Sequence, residues 1–344
     1  MVTGSRLLAF RFGRHRLNGR APARRMEEVA GVCGIHAQVM TAGEMSLGAR
    51  VGGVTRQSVQ SAADLTIFTK GLSWIDEDRR KKYLAQRGLQ PGDVDYAVEA
   101  VADALDGRTL RKKELLARMA KGAPRRLVPW IESSWGAALL PSCRAGLLCH
   151  GPSVGGESTF VRADQWLGWR QQISDEEARK ELLRRHLSAY GPATRQEFAA
   201  WAGLDGVDVK STWGAMEGEL TEVRVNGSRA WILTKDVQEI AAARIRKPVK
   251  LLPLFDVYLL QRNREQLVGP PDYKKVYRDQ AWISAVVLER GRIAGVWAHR
   301  RKAKSIEMTV TPFRPVTRAL RHGISTEAEQ LGRFLGVPVT VHFA

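Results

Sequence analysis

Three cysteines in 344 residues, Cys33, Cys143 and Cys149, are too few for a disulfide framework and show no paired metal-ligand spacing. That excludes a disulfide-stapled secreted fold and predicts no metal, in keeping with a reducing cytoplasm. Cys149 and His150 are adjacent, but neighbouring residues rarely ligate one metal together, and no second such pair accompanies them. No apolar run is long enough to span a bilayer, so no membrane-spanning helix is expected. Acid is missing from the start of the chain: the first twenty-six residues carry seven arginines and no Asp or Glu.

What the chain has instead is positive charge. Lysine and arginine total 54 against 36 acids, a formal net charge of +18 spread along the sequence. A polyanion is the expected partner, and nucleic acid is the commonest one. Charge of this kind gives affinity and salt dependence without sequence preference. A hydrophobic content of 44% is that of an ordinary globular protein, and the length allows two or three compact units. The arginine-rich start resembles a transit peptide, yet Leu7, Leu8, Phe10, Phe12 and Leu17 predict a basic amphipathic helix whose Arg11, Arg14 and Arg16 contact DNA.

Apolar spacing and chain breakers give four segments, 1–92, 93–172, 173–240 and 241–344. In the second, Gln90-Pro91-Gly92-Asp93 caps a helix reaching Leu105, a basic helix follows over 111–119, a third over 129–140, and two strands over 145–150 and 158–162. The third segment repeats the layout. Ser174 caps a helix ending at Tyr190, Thr194 and Glu197 form a capping box, a helix is expected over 207–216, and Asn226-Gly227 turns a hairpin of 220–225 with 230–233. Three helices and a hairpin describe a winged helix, so the sequence predicts an α+β protein of tandem winged-helix modules. The last segment is β-hairpin-rich, with strands over 251–258, 282–288, 293–299 and 305–310, an Arg290-Gly291 turn and a helix over 325–335. Lys274, Lys275 and Arg278, with Arg300, Arg301, Lys302 and Lys304, flank these hairpins as candidate phosphate contacts. The span from Trp282 to Trp297 is a candidate minor-groove or lesion probe.

The stretch with most chemical content is Gly34 to Glu44. Ile35, Ala37 and Val39 alternate with His36, Gln38 and Met40, so an extended backbone projects His36 and Gln38 to one face. Thr41 and Glu44 read as a capping box, placing that pair at the mouth of a helix over 42–51. A carboxamide and an imidazole so placed can hold one water molecule. The same triplet also fits a buried histidine beside a hydrogen-bonding amide.

Four segments in this order resemble a known family, the bacterial winged-helix DNA glycosylases of the AlkZ/YcaQ type. They are Cys33-Gly34-Ile35-His36-Ala37-Gln38-Val39, Ala189-Tyr190-Gly191-Pro192-Ala193-Thr194, Leu251-Leu252-Pro253-Leu254-Phe255-Asp256-Val257-Tyr258, and Gly295-Val296-Trp297 with the basic stretch after it. The resemblance implies a monofunctional glycosylase that removes alkylated bases from double-stranded DNA, bulky adducts and interstrand crosslinks included, without a cofactor. It places the catalytic motif on His36-Ala37-Gln38, where relatives carry Gln-hydrophobic-Gln or Gln-hydrophobic-Asp. His36 departs from that pattern, and in protonated form it would oppose attack on a cationic centre. A second departure is a shortened stretch between Val51-Gly52-Gly53-Val54 and Ala62-Ala63-Asp64-Leu65, so the first module is trimmed.

N7-alkylated purines suit such a motif. The base is already cationic and leaves without a strong general acid, so the enzyme has to hold water and stabilise an oxocarbenium-like sugar. Gln38 is assigned to positioning water and His36 to polarising it. With no lysine in the motif no Schiff base or lyase step is expected. Asp256 is a secondary candidate for stabilising positive charge, with a cap or salt bridge as its alternative. The expected partner is double-stranded DNA containing alkylated bases, bound by a monomer; the competing function is a non-catalytic winged-helix regulator or damage sensor.

Overall fold

The structure, a computed structural model, describes residues 1–25, 29, 40–54, 84–133, 136–154, 157–168, 173–204 and 206–344. The chain divides into two compact units, one of Met1–Ala63, Arg184–Trp201 and Met216–Ala344, the other of Asp64–Leu183 and Ala202–Ala215. The expected boundaries at 92, 172 and 240 cross these units, because the N-terminal segment packs with the C-terminal sheet.

Helix α1 (Gly4–Arg14) shows why. Thr3 caps it by accepting the Arg6 amide at 3.4 Å. Leu7 and Phe10 pack with Val2, Ile232 and Ile240, while Leu8 and Phe12 enter a second cluster with Tyr258 and Leu288. A helix buried on both sides keeps no broad polar face for solvent, so the expected DNA-binding helix is a core element instead. Strand β1 (Ala21–Pro22) pairs in parallel with β2 (Val51–Gly52), and between them in sequence lies α2 (Met40–Gly48). This helix includes Met40 and stops at Gly48, so Thr41 lies inside it rather than capping it, and residues 51–52 belong to a strand. Apart from Val29, the expected helix over 27–32 lies outside the described residues, as does most of 62–87.

The second unit begins its described part with α3 (Pro91–Leu105), β3 (Leu110–Arg111), α4 (Lys112–Ala120), α5 (Val128–Ile131), α6 (Leu140–Arg144), β4 (Leu148–Val154), β5 (Glu157–Arg162) and α7 (Ala163–Leu167). Asp93 accepts the Gln90 amide at 2.8 Å at the start of α3, as the sequence implied. The single helix expected over 129–140 is two short ones, because Gly136 adopts φ +64 between them and Pro141 opens a new first turn. The sheet order is β3-β5-β4, all antiparallel, over a core of Val101, Leu105, Leu115, Met119 and Ile131.

The same order of elements then recurs in sequence: α8 (Asp175–Tyr190), α9 (Arg195–Ala202), α10 (Gly206–Ala215), β6 (Leu220–Val225) and β7 (Ser228–Leu233). Thr194 and Glu197 exchange the two capping-box bonds, at 2.7 and 3.1 Å. Ala193, just before α9, exchanges both backbone bonds with Trp231 of β7 at 2.9 Å. A bridge therefore stands where β3 stands in the first copy, and it pairs with the last strand in both.

A short helix α11 (Val237–Ala242) leads to a sheet of β8 (Val249–Leu252), β9 (Val286–Glu289), β10 (Arg292–Arg301), β11 (Ile306–Pro312) and β12 (Val339–Phe343), in order β12-β11-β10-β9-β8. Helix α12 (Pro270–Val276) lies in the β8–β9 connection, and α13 (Arg318–Leu335) packs on β8 and β12. The strand expected over 251–258 ends at Leu252, and residues 257–260 form a 3-10 turn. The closing strand β12 runs parallel to β11, and the sequence reading missed it.

Candidate active-site support and DNA surface

His36 and Gln38 lie outside the described residues; the helix that follows them, α2, does not. Its C-terminal end is held from two sides within one unit. Arg50 donates to the Ser46 carbonyl at 2.8 Å, and Arg20 donates to the Gly48 carbonyl at 3.1 Å, so two guanidinium groups satisfy carbonyls that a helix end leaves free. Each arginine is in turn fixed by a carboxylate from the C-terminal part of the chain.

The first of these is Asp256. Its carboxylate accepts two bonds from Arg50 at 2.7 Å, one from the Ser46 hydroxyl at 2.6 Å and one from the Tyr258 amide at 2.9 Å. Burial alone would raise this carboxyl, but Arg50, Ser46 and the Tyr258 amide together hold it below the ordinary aspartate value. Asp256 is therefore a buried, fully partnered anchor, not a group open to a sugar. The second carboxylate is Glu327 of α13, which takes two bonds from Arg20 at 3.2 and 3.0 Å and one from Lys250 at 3.1 Å. Burial pushes the Lys250 ammonium down to about 8, against the pull of Glu327. Beside this trio lies a small notch lined by Arg20, Met45, Gly48, Trp297 and Leu331. The α2 end is thus set against α13 so closely that a Cβ on Gly48 would lie 2.7 Å from the Phe334 ring.

The structure distributes the basic residues unevenly. Arg11 is buried, donating to the Gly191 and Pro192 carbonyls at 3.4 and 3.1 Å and to Gln261 at 2.8 Å, and burial lowers it to about 10 while Glu197 pulls it back up. Arg11 is therefore withdrawn from the expected DNA-contacting set. Arg14 pairs with Glu239 at 2.9 Å and donates to the Ser188 carbonyl at 3.0 Å, so its charge is largely spent inside the fold. Arg16 is exposed. Lys274, Lys275 and Arg278 are exposed on and just after α12, although Lys275 also bonds Asp272 at 2.7 Å. Arg300, Arg301, Lys302 and Lys304 are exposed at the free end of the β10–β11 hairpin, with Lys302 bonded to Glu307. The Arg290-Gly291 turn, by contrast, is pinned: Arg290 donates to the Pro248 carbonyl at 2.6 Å and Tyr258 donates to the Gly291 carbonyl at 3.0 Å. Trp297 is buried, its indole N–H donating to the Leu252 and Val286 carbonyls. Of the two tryptophans bounding the expected probe, Trp282 alone is exposed.

Sequence reasoning did not single out Arg50, Ser46, Arg20, Lys250 or Glu327. Their carboxylate partners, Asp256 and Glu327, lie between 77 and 307 residues away in sequence, and no local pattern marks such pairs.

The family described as "DNA glycosylase AlkZ-like" matches residues 61–334. A relative named "Interstrand DNA cross-link repair glycosylase", from Streptomyces sahachiroi, is 31% identical over 366 aligned residues that cover 96% of each chain. The solved structure of Streptomyces sahachiroi DNA glycosylase AlkZ matches with a TM-score of 0.81 at 30% identity, over 99% of both chains. A mixed α/β chain with this likeness along its whole length is a DNA glycosylase. It belongs to the AlkZ-like DNA glycosylase family.

Proposed function

We propose that the chain hydrolyses the N-glycosidic bond of N7-alkylated purines in duplex DNA, bulky adducts and crosslinked bases among them. The observation that carries this reading is the end-to-end likeness to a glycosylase named for interstrand cross-link repair. A base already cationic at N7 departs with little acid assistance, so the protein's task is to hold water against the sugar carbon and to steady the developing positive charge. Gln38 positions that water and His36 polarises it, accepting its proton as the bond to carbon forms. Asp256 acts from behind, through Arg50 and Ser46, by fixing the end of the helix that follows the motif. No lysine enters the motif, so the product is an intact abasic site.

The two helix-and-hairpin copies are tandem winged helices. Their common element order supports this, as does the pairing of the first strand, or its one-residue bridge, with the last. The exposed cations on α12 and on the β10–β11 hairpin hold phosphates. The enzyme works as a cytoplasmic monomer and protects its cell against a genotoxic alkylator.

The test is incubation of the purified protein with two duplexes, one carrying a small N7-alkylguanine and one a bulky adduct, scored for abasic sites. Release from both, at least as fast from the bulky one, is the expected result. Salt-dependent binding of both duplexes without release from either would overturn the substrate assignment.

A further inference from the structure

Three two-residue turns in the C-terminal half place both central residues at positive φ. Asn226-Gly227, at +47 and +88, joins β6 to β7, and Arg290-Gly291, at +49 and +80, joins β9 to β10. Each puts glycine second, as such a turn favours. The third is Gln280-Ala281, at +56 and +60, closed by the Trp282 amide donating to the Asp279 carbonyl at 3.3 Å. Here both residues carry a Cβ in a backbone region that penalises one. The surroundings hold the turn in place. Arg278 donates to the Trp282 carbonyl at 2.8 Å, Ser284 donates to the Val276 carbonyl at 2.9 Å, and Tyr277 bridges to Ile283.

The next residue is Trp282, 41% exposed, while every other Trp, Tyr and Phe among the described residues of its unit is buried or half-buried. Its indole stands edge-on to Phe255 with ring centroids 5.0 Å apart. Phe255 itself sits at φ +56, its amide donating to the Ile283 carbonyl at 3.3 Å, and its chain neighbour is the anchored Asp256. A solvent-facing indole is thus backed by a buried ring, and three L residues with side chains, Gln280 and Ala281 before the indole and Phe255 behind it, adopt left-handed backbone. Lys274, Lys275 and Arg278 are exposed just before it in the chain. An exposed aromatic among cations has the chemistry that takes an unstacked nucleobase, the base giving its π-face and the phosphates the charge.

We propose that Trp282 is a contact residue for the substrate, stacking on a nucleobase that has lost its partner or neighbour where the duplex opens at a lesion. This rests on the DNA glycosylase reading but not on which adduct is excised. The strained turn fixes the indole's position, and Phe255 keeps it from folding back into the core.

The experiment measures affinity for two otherwise identical duplexes, one intact and one with a single tetrahydrofuran abasic-site analogue opposite a purine, so that no excision is needed. Wild type is expected to prefer the analogue duplex. Trp282→Ala is expected to lose roughly ten-fold in affinity for it, the scale of one base–aromatic stack, with less than a two-fold change for intact duplex. Trp282→Phe, which keeps a ring on Phe255, is expected to retain most of the preference and reports on stacking if the alanine variant melts early. An unchanged preference in Trp282→Ala, an equal loss on both duplexes, or no rescue by phenylalanine would overturn the assignment. Failure of excision on alkylated DNA with this pattern intact would count against the substrate class and leave the contact standing.

Discussion

Buried histidines set a pH limit on the fold. His15 and His186 both pack against Tyr190, at ring-centroid distances of 5.1 and 5.5 Å, and burial lowers each to about 3, with Arg50 adding to the effect on His15 and Arg11 on both. Both are neutral in the folded chain and take up protons in the unfolded chain below an ordinary pKa of about 6.5, so their contribution is intact above that value and is lost as pH falls toward 3. At pH 5 the loss is about 2 kcal/mol for each. The urea midpoint should therefore drop between pH 7.5 and pH 5, and His186→Phe should remove part of that drop. A midpoint unchanged over this range would contradict the buried neutral state. Asp256 responds at lower pH and with the same sign, since its carboxyl is held below its ordinary value and its contribution fades only as acid protonates it.

At the scale of elements, α2 is the piece that joins the motif to the fold. Gly48→Ala would drive a methyl group into the Phe334 ring, an overpacking that costs about 1–3 kcal/mol. It should lower the melting temperature and slow excision while duplex affinity, assigned to the cations of α12 and the β10–β11 hairpin, stays within two-fold. Unchanged melting and excision would show that the α2–α13 contact does not position the motif. What the sequence made legible at this scale was local chemistry. The Asn226-Gly227 and Arg290-Gly291 turns and the boxes at Gln90–Asp93 and Thr194–Glu197 need only neighbouring residues, and each stands where the pattern put it. Elements set by distant contacts were misread. The apolar run after Leu252 gave a strand where the chain turns to bring Asp256 to Arg50, and β12 exists because β11 offers it a parallel edge. Arg11 is the same lesson for one side chain: helix periodicity marked it basic, and only tertiary packing decides that it caps carbonyls in the interior.

For the whole molecule, a +18 chain that belongs to the AlkZ-like DNA glycosylase family should bind duplex DNA with steep salt dependence. In the proposed function that binding brings the substrate in, and a water held by Gln38 and His36 is proposed to break the bond. The two steps are separable by experiment. The measurement is the single-turnover rate of base release from an N7-alkylguanine duplex at saturating enzyme, for wild type beside Gln38→Ala. Wild type should release the base and the variant should be slower by roughly 100-fold or more, in line with losing a group that acts in proton transfer or positioning, at matched DNA affinity. Release at the same rate by the variant would contradict the role proposed for Gln38.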